Sequence, residues 1–223
     1  MYYGYYPPYW QSRHQALVPS PPARMLTVKG NGRVPVQPDI AIIQLEVLTE
    51  GESVTVAQGE NARIMDQVIQ ALINLEVPRD DIQTTNFAIN PRYDFVDGVQ
   101  VFRGYEVRNE ITVKISPIAQ AGRIIDTAVQ NGVNRVSNIR FSVEDGKVHY
   151  QEALSLALSN AIGKAEAIAN AMQLDLDRIP VSIIEKEQPQ PIRTFSVAAE
   201  GLSTPIEPGE MIVSAEVMVK FQY

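Results

Sequence analysis

The sequence predicts an α+β fold in which a mainly antiparallel sheet carries three helices. Apolar residues alternate with polar ones along several short segments, and they recur every three or four positions along three longer ones. The predicted order is β-β-α-β-β-α-β-α-β-β. Its middle part, β-α-β-β-α-β, is the split β-α-β (ferredoxin-like) order. We expect one domain over residues 25–223, with the helices on one face of the sheet.

Composition excludes several classes of function. The 223 residues include no cysteine, which rules out disulfides, thiolate catalysis and Cys-ligated metal sites. The net charge of −7 and the pI near 4.9 argue against nucleic-acid binding, which needs a basic face. No segment approaches the roughly 18 apolar residues of a membrane span. The first 24 residues lack the apolar centre of an export signal, so a cytoplasmic location is predicted.

The first half of the domain contains four predicted strands and one helix. A short strand begins near residue 26 and ends at a turn over Gly30-Asn31-Gly32, after which Pro35 and Pro38 bracket a connection. A second strand spans the alternating residues 43–47. A helix over residues 54–76 follows, with Ser53 or Thr55 as its N-cap.

Two further strands, over 81–91 and 99–115, are joined by a turn. Within 99–115, alternation is regular from Glu106 to Ile115, so one face of the sheet is expected to meet water. Asp97-Gly98 is a strong signal for a tight hairpin turn.

The second half alternates helices and strands. Ser116-Pro117 predicts a helix start, with the serine as N-cap, and Asn131-Gly132 predicts its end. A strand around residues 138–143 precedes an alanine-rich helix over 147–172. A strand over 180–187, a Pro-rich loop over 188–210 and a last strand from Met211 to Tyr223 complete the domain.

Residues 1–24 differ in composition from the domain and are predicted to be a flexible, Tyr/Pro-rich tail. Five prolines without apolar periodicity favour an extended chain. Exposed aromatic side chains adhere to other surfaces, so the tail is a candidate attachment site or a solvated segment without a specific role. The candidate attachment residues are Tyr2, Tyr3, Tyr5, Tyr6, Tyr9 and Trp10.

Side chains capable of catalysis are few. His149 has Asp145 and Glu152 within about one helical turn, as a general base would need, but a solvent-facing helical residue is the favoured interpretation. His14 lies in the tail, where nothing is expected to hold it rigidly. No catalytic, cofactor or metal site is predicted.

The sequence offers several acidic residues as candidate calcium ligands and a pair of glycines as a candidate phosphate loop. Asp80-Asp81, Asp94 and Asp97 lack the spacing of a calcium loop and are better explained by turns. Gly30-Asn31-Gly32 is not followed by the helix that a phosphate loop needs.

Several motifs occur together in one order along the chain: V-x-P-D at 36–39, D-I-Q-T at 81–84, G-Y-x-V-x-N at 104–109 and T-P-I-x-P-G-E at 204–210. In this combination the chain resembles the SIMPL domain family, a bacterial group of unknown function that includes periplasmic immunogenic proteins. The resemblance covers residue 25 to the C-terminus. It implies an α+β fold and ring-like or channel-like homo-oligomers, and it implies no catalytic residues.

These observations lead to one main functional hypothesis and two alternatives. We expect a non-enzymatic, self-assembling scaffold whose tail attaches it to a surface or spore-coat-like layer, because a Tyr-rich composition is typical of such layers. One alternative is a stress-protective oligomer that binds a small molecule or peptide in a pocket. The other is a hydrolase that uses His149. The expected partners are other copies of the chain and possible coat-layer proteins.

Overall fold

A computed structural model describes residues 24–186, 192–193 and 204–223. In these residues the elements follow the predicted order, with one additional two-residue strand, and the α+β class is confirmed. The strands are β1 (Met25–Val36), β2 (Ile40–Gly51), β3 (Ile82–Val96), β4 (Val99–Ile115), β5 (Arg135–Ser142), β6 (Ser182–Glu185), β7 (Ile192–Arg193) and β8 (Met211–Gln222). The helices are α1 (Val54–Asn74), α2 (Ala121–Gln130) and α3 (Gly146–Met172).

The strands form two antiparallel sheets rather than the one expected. The central sheet has the order β3-β4-β2-β5, which is the order of the predicted split β-α-β unit. The terminal sheet has the order β1-β8-β6, and β7 also pairs with β8. Alternation along a strand reveals which face is buried but not which strand lies beside it, so the division into two sheets was not predictable from it.

Strand β1 is longer than predicted, and the turn prediction for Gly30-Asn31-Gly32 is wrong. The strand pairs continuously with β8, from Met25 opposite Gln222 to Val36 opposite Met211. A Cβ atom built on Gly32 would lie 1.8 Å from the carbonyl oxygen of Ala153, and one on Gly30 would lie 2.0 Å from that of Ala157. The two glycines therefore allow the backbone of α3 to lie directly on β1.

Helix α3 provides the other half of this close contact through a row of alanines. They recur every four residues and are fully or almost fully buried: Ala153, Ala157, Ala161, Ala165 and Ala169. Together with apolar residues of β1 and β8, such as Val217 and Phe221, they form the core of the terminal sheet. Small side chains on both elements bring helix and sheet unusually close.

The core of the central sheet lies between β2, β4 and the two helices α1 and α2. Ile43, Leu45 and Ile111 are fully buried there. Asn61 of α1 is also fully buried, and its Nδ2 donates to the carbonyl oxygens of Val47 at 2.9 Å and Val107 at 3.2 Å. A helix side chain thus ties the strands together where the sheet nears its end.

The predicted helix ends agree with the structure in two places and differ in one. Ser53 caps α1, since its Oγ accepts from the Val56 amide at 3.4 Å, and Gly132, at φ 113°, follows the end of α2. Ser116 is not a cap. A 3-10 turn over Ile118–Gln120 precedes α2, which starts without a side-chain cap.

The predicted loop over 188–210 contains strand β7, where only loop was expected. Residues 204–210 have no regular structure, as predicted, and Thr204 bonds to α2: its Oγ1 donates to Oδ1 of Asp126 at 2.6 Å. The remainder of this segment, 188–191 and 194–203, lies outside the described residues.

Candidate assembly interface

A two-stranded hairpin projects from the central sheet. Strand β2 makes its last pair with β4 at Gly51 opposite Tyr105, whereas β3 and β4 continue to pair as far as Val96 opposite Val99. Among the described strands, none therefore lies beside residues 92–104 as a third strand, and these residues are called the arm from here on. A hairpin with only two strands is marginally stable in water unless another surface covers it.

The tip of the arm is the predicted tight turn. Asp97 has φ 53° and Gly98 has φ 79°, so both central residues adopt the left-handed conformation that a two-residue hairpin turn requires. Asp94 accepts from Nε of Arg103 at 2.8 Å. The hairpin thus accounts for both Asp94 and Asp97, which were candidate ligands for a cation.

The arm exposes apolar side chains on both of its faces. Opposite residues in an antiparallel pair share a face, so Tyr93 and Phe102 lie on one face, while Val96 and Val99 lie on the other. The exposed fraction reaches 76% for Phe95 and 64% for Val99. The exposed apolar residues of the arm are Tyr93, Phe95, Val96, Val99, Val101 and Phe102.

Contacts between aromatic rings and an ion pair hold the arm in place. The ring centroids of Tyr93 and Phe102 are 5.6 Å apart, and those of Phe102 and Tyr105 are 5.3 Å apart, both edge-to-face. At the base, Arg92 forms an ion pair with Glu50 of β2. The arm thus projects from the central sheet with apolar side chains exposed on both of its faces.

The sequence predicts the turn of the arm but not that the hairpin projects from the sheet. The signal was present: alternation is lost between residues 93 and 102, where Phe95 and Val96 are both apolar, as are Val101 and Phe102. A strand with one buried face alternates, and one that is apolar on both faces needs cover on both.

The edge of the terminal sheet at β1 is closed by polar side chains of α3. Asn160 Oδ1 accepts from the Asn31 amide at 3.1 Å, and Lys164 Nζ donates to the Lys29 carbonyl at 2.8 Å. Further along the same edge, Pro35 has no amide hydrogen to offer. Edge strands are commonly protected from pairing with another chain by such devices.

We expect Asn160→Ala to open this edge locally. Loss of the acceptor leaves the Asn31 amide to water, so its hydrogen exchange should accelerate, and the free energy of unfolding should fall by about 0.5–1.5 kcal/mol. Hydrogen exchange followed by NMR measures the first effect and urea unfolding the second. Asn170→Ala, on an exposed position of the same helix, is the control. Unchanged exchange at Asn31 would refute the assignment.

Ion pairs on exposed sheet faces shift the pKa of several groups. The hydrogen bond that Arg108 Nε donates to Glu106 Oε1 at 2.6 Å raises the pKa of Arg108. On the terminal sheet, the hydrogen bond from Lys186 lowers the pKa of Glu216, and the same bond raises the pKa of Lys186. Both pairs lie at the surface, where ion pairs contribute little to stability.

The structure does not bring the candidate catalytic residues together. His149 lies half-buried in the first turn of α3, and within the described ranges no hydrogen bond or ion pair joins it to Asp145 or Glu152. Asp80 and Asp81 belong to a 3-10 turn before β3. The described part of the chain contains no group of three His, Asp or Glu residues arranged to hold a metal ion. His14 and the six tail residues lie outside the described ranges.

The described cavities are grooves. One of about 340 Å³ lies on the terminal sheet and is lined by Asn31, Arg33, Ser214 and Glu216 among others. Another lies beside α2 and Thr204. None of the described helices is long and apolar enough to cross a membrane.

The fold and the projecting arm define an α+β protein with a ferredoxin-like central sheet and a second sheet formed by its terminal strands. Residues 26–221 match the family model of SIMPL, described as "Protein of unknown function (DUF541)", so the chain belongs to the SIMPL family.

The chain is similar to two groups of named proteins. It is 32% identical over 214 residues to the "26 kDa periplasmic immunogenic protein" of Brucella melitensis, covering 90% of this chain and 85% of the relative. It is 24% identical over 151 residues to the "Uncharacterized protein YggE" of Escherichia coli, covering 68% of this chain and 61% of that protein.

The predicted cytoplasmic location is wrong. The Brucella relative, which matches most of this chain, is named a periplasmic protein, and this contradicts the prediction. The prediction rested on the composition of the first 24 residues, which is weaker ground than similarity over a whole domain.

Proposed function

We propose that this protein is a non-enzymatic scaffold that assembles with copies of itself, and that the arm is its main contact element. The observation that carries the proposal is an arm apolar on both faces, with Phe95 exposed to 76%. Monomeric proteins rarely expose such a patch, and a second copy supplies the cover that the arm lacks.

Contacts within the arm support the same proposal. The edge-to-face contacts from Tyr93 through Phe102 to Tyr105 and the ion pair at the base of the arm restrict the conformations of the hairpin. An interface that is already ordered loses less conformational entropy on association.

A variant with three polar replacements in the arm tests this proposal. We expect Tyr93→Ser/Phe95→Ser/Phe102→Ser to lower the mass of the assembly, because aromatic residues at the centre of an interface dominate binding. Multi-angle light scattering measures the mass, and circular dichroism checks the fold.

The matched control is Val56→Ser/Ile179→Ser, which removes exposed apolar side chains at 64% and 75% elsewhere on the surface. We expect this control to retain the mass of the unmodified protein. If the unmodified protein is a monomer, self-assembly is refuted. If the triple variant of the arm has the same mass as the unmodified protein, the role of the arm is refuted.

We further propose a periplasmic location for the assembly, which the name of the Brucella relative supports. Attachment to a surface layer through Tyr2, Tyr3, Tyr5, Tyr6, Tyr9 and Trp10 also stays a proposal. It predicts that removal of residues 1–24 leaves the oligomer intact and abolishes the attachment. Ligand binding remains a prediction without a specific contact in its favour.

A further inference from the structure

We infer that the basic unit of the assembly is a two-fold dimer in which the β3 edges of two copies pair antiparallel, centred on Ala88, so that two central sheets become one sheet of eight strands. This inference rests on the proposed self-assembly, and it adds a second contact surface and gives its register. It concerns the sheet edge beside the arm, not the arm.

Strand β3 is a long edge strand whose bulges, at Thr84/Asn86 and Arg92/Tyr93, leave the stretch between Asn86 and Asn90 regular. It lies at the end of the order β3-β4-β2-β5 and spans 15 residues. From Ile82 to Pro91 it carries no charged side chain, although edge strands are normally protected by charges. Phe87 and Ile89 are exposed to 49% and 36%. An uncharged, partly apolar edge of this length is a template for another strand.

The other described edges are closed or short. Asn160 and Lys164 cover β1. Strand β5 carries a bulge where it meets β2, has Asn138 at φ 47°, and bears Arg135 and Arg140. Strand β6 has four residues. Bulges, charges and shortness all discourage edge pairing, so β3 is the edge best suited to it.

The regular part of β3 determines where the two-fold axis must fall. A bulge separates Thr84 from Asn86, and Pro91 lacks an amide hydrogen, so the uninterrupted stretch is Asn86–Asn90. Antiparallel partners must lie on the same face of the sheet, so residue numbers that face each other have an even sum. Symmetric pairing over this stretch has its centre at Ala88.

This register is self-complementary. Phe87 of one copy pairs with Ile89 of the other, on the side of the sheet where Val107 and Asn109 lie. Asn86 of one copy pairs with Asn90 of the other, on the opposite side of the sheet. The small side chain of Ala88 meets its own copy at the axis. Because the stretch is uncharged, pairing with itself creates no like-charge contact, and the neighbouring Arg108 is already paired with Glu106. These features favour a second copy as the occupant.

Single cysteines test the register directly, since the chain contains none of its own. In an antiparallel pair, opposite Cα atoms lie about 4.5–5.5 Å apart, within disulfide range. We expect oxidised Ala88→Cys to migrate as a covalent dimer of about twice the chain mass on a non-reducing gel. Asn86→Cys and Asn90→Cys alone should each remain monomeric there, whereas Asn86→Cys/Asn90→Cys should cross-link. The double variant also covers the case in which Ala88→Cys does not fold.

Light scattering on the unmodified protein, which has no cysteine, distinguishes the proposal of self-assembly from that of β3 pairing. An oligomeric protein in which neither Ala88→Cys nor the double variant cross-links overturns the β3 pairing and leaves self-assembly standing. Equal cross-linking of Asn90→Cys alone overturns the register and with it the inference. A monomeric cysteine-free protein overturns both proposals.

Discussion

Replacement of Gly32 by valine should disrupt the terminal sheet. A Cβ at this position would lie 1.8 Å from the Ala153 carbonyl oxygen and 2.7 Å from the Ala157 amide nitrogen, both backbone atoms that cannot rotate away. The helix would have to leave the strand. Overpacking against side chains costs roughly 1–3 kcal/mol, and displacement of a helix backbone costs more, so we expect a loss above about 3 kcal/mol. Urea unfolding measures it.

Gly163→Ala in α3 is the matched control. No atom lies within 4 Å of a Cβ built there, and the backbone is helical. Alanine is the better helix former, so a gain of about 0.5–1 kcal/mol is expected. If Gly32→Val unfolds at the same urea concentration as the unmodified protein, the close approach of α3 to β1 is incorrect.

Gly104→Ala should affect both stability and assembly. Gly104 lies at the base of the arm with φ 113°, and a Cβ there would lie 2.4 Å from the carbonyl oxygen of Gly51. Backbone strain and the contact together are expected to cost about 1–3 kcal/mol. Because β2 ends at Gly51, relief of the contact would redirect the arm. We therefore expect light scattering to show a lower mass as well as urea unfolding at lower concentration.

The control for this variant is Gly98→Ala at the tip of the arm. Gly98 also has positive φ, at 79°, but no atom lies within 4 Å of its Cβ position. The variant should lose about 1–2 kcal/mol from the left-handed backbone conformation and keep its assembled mass. Equal losses of mass in the two variants would show that contact with Gly51 does not direct the arm.

Local patterns predicted the helices well because their signals lie within each segment. The predicted 54–76 and 147–172 agree closely with α1 and α3, whose apolar or alanine positions recur at helical spacing. The hairpin turn at Asp97-Gly98 was equally predictable, since its backbone conformation depends on these two residues alone.

Gly30 and Gly32 show what a local pattern cannot reveal. Two glycines around an asparagine are typical of a turn, yet here they lie in a strand because α3, more than 100 residues later, occupies the space of their side chains. The alanine row of α3 was visible in the sequence, but nothing local connected it to the glycines. A requirement set by tertiary contact overrode turn preference.

The candidate site likewise combines one feature that local sequence determines with one that tertiary structure determines. Its turn was predicted from two residues, but its exposure depends on where β2 ends relative to β3 and β4, which is a property of register. The sequence of one strand does not determine how many of its residues pair with a neighbouring strand. The tail, which the composition singled out, lies outside the described residues.

The pairing of β1 with β8 has a consequence for the order of folding. Met25 lies opposite Gln222, so the first described strand waits for almost the last part of the chain before it gains a sheet partner. The central sheet closes over residues 40–142 and can form as soon as that stretch has emerged. Until β8 has been made, the sheet on which α3 packs is incomplete, because β1 lacks its partner. Long-range pairing of this kind forms slowly and leaves intermediates open to misassembly. Strand β1 is therefore the strand that stays longest without its sheet partner.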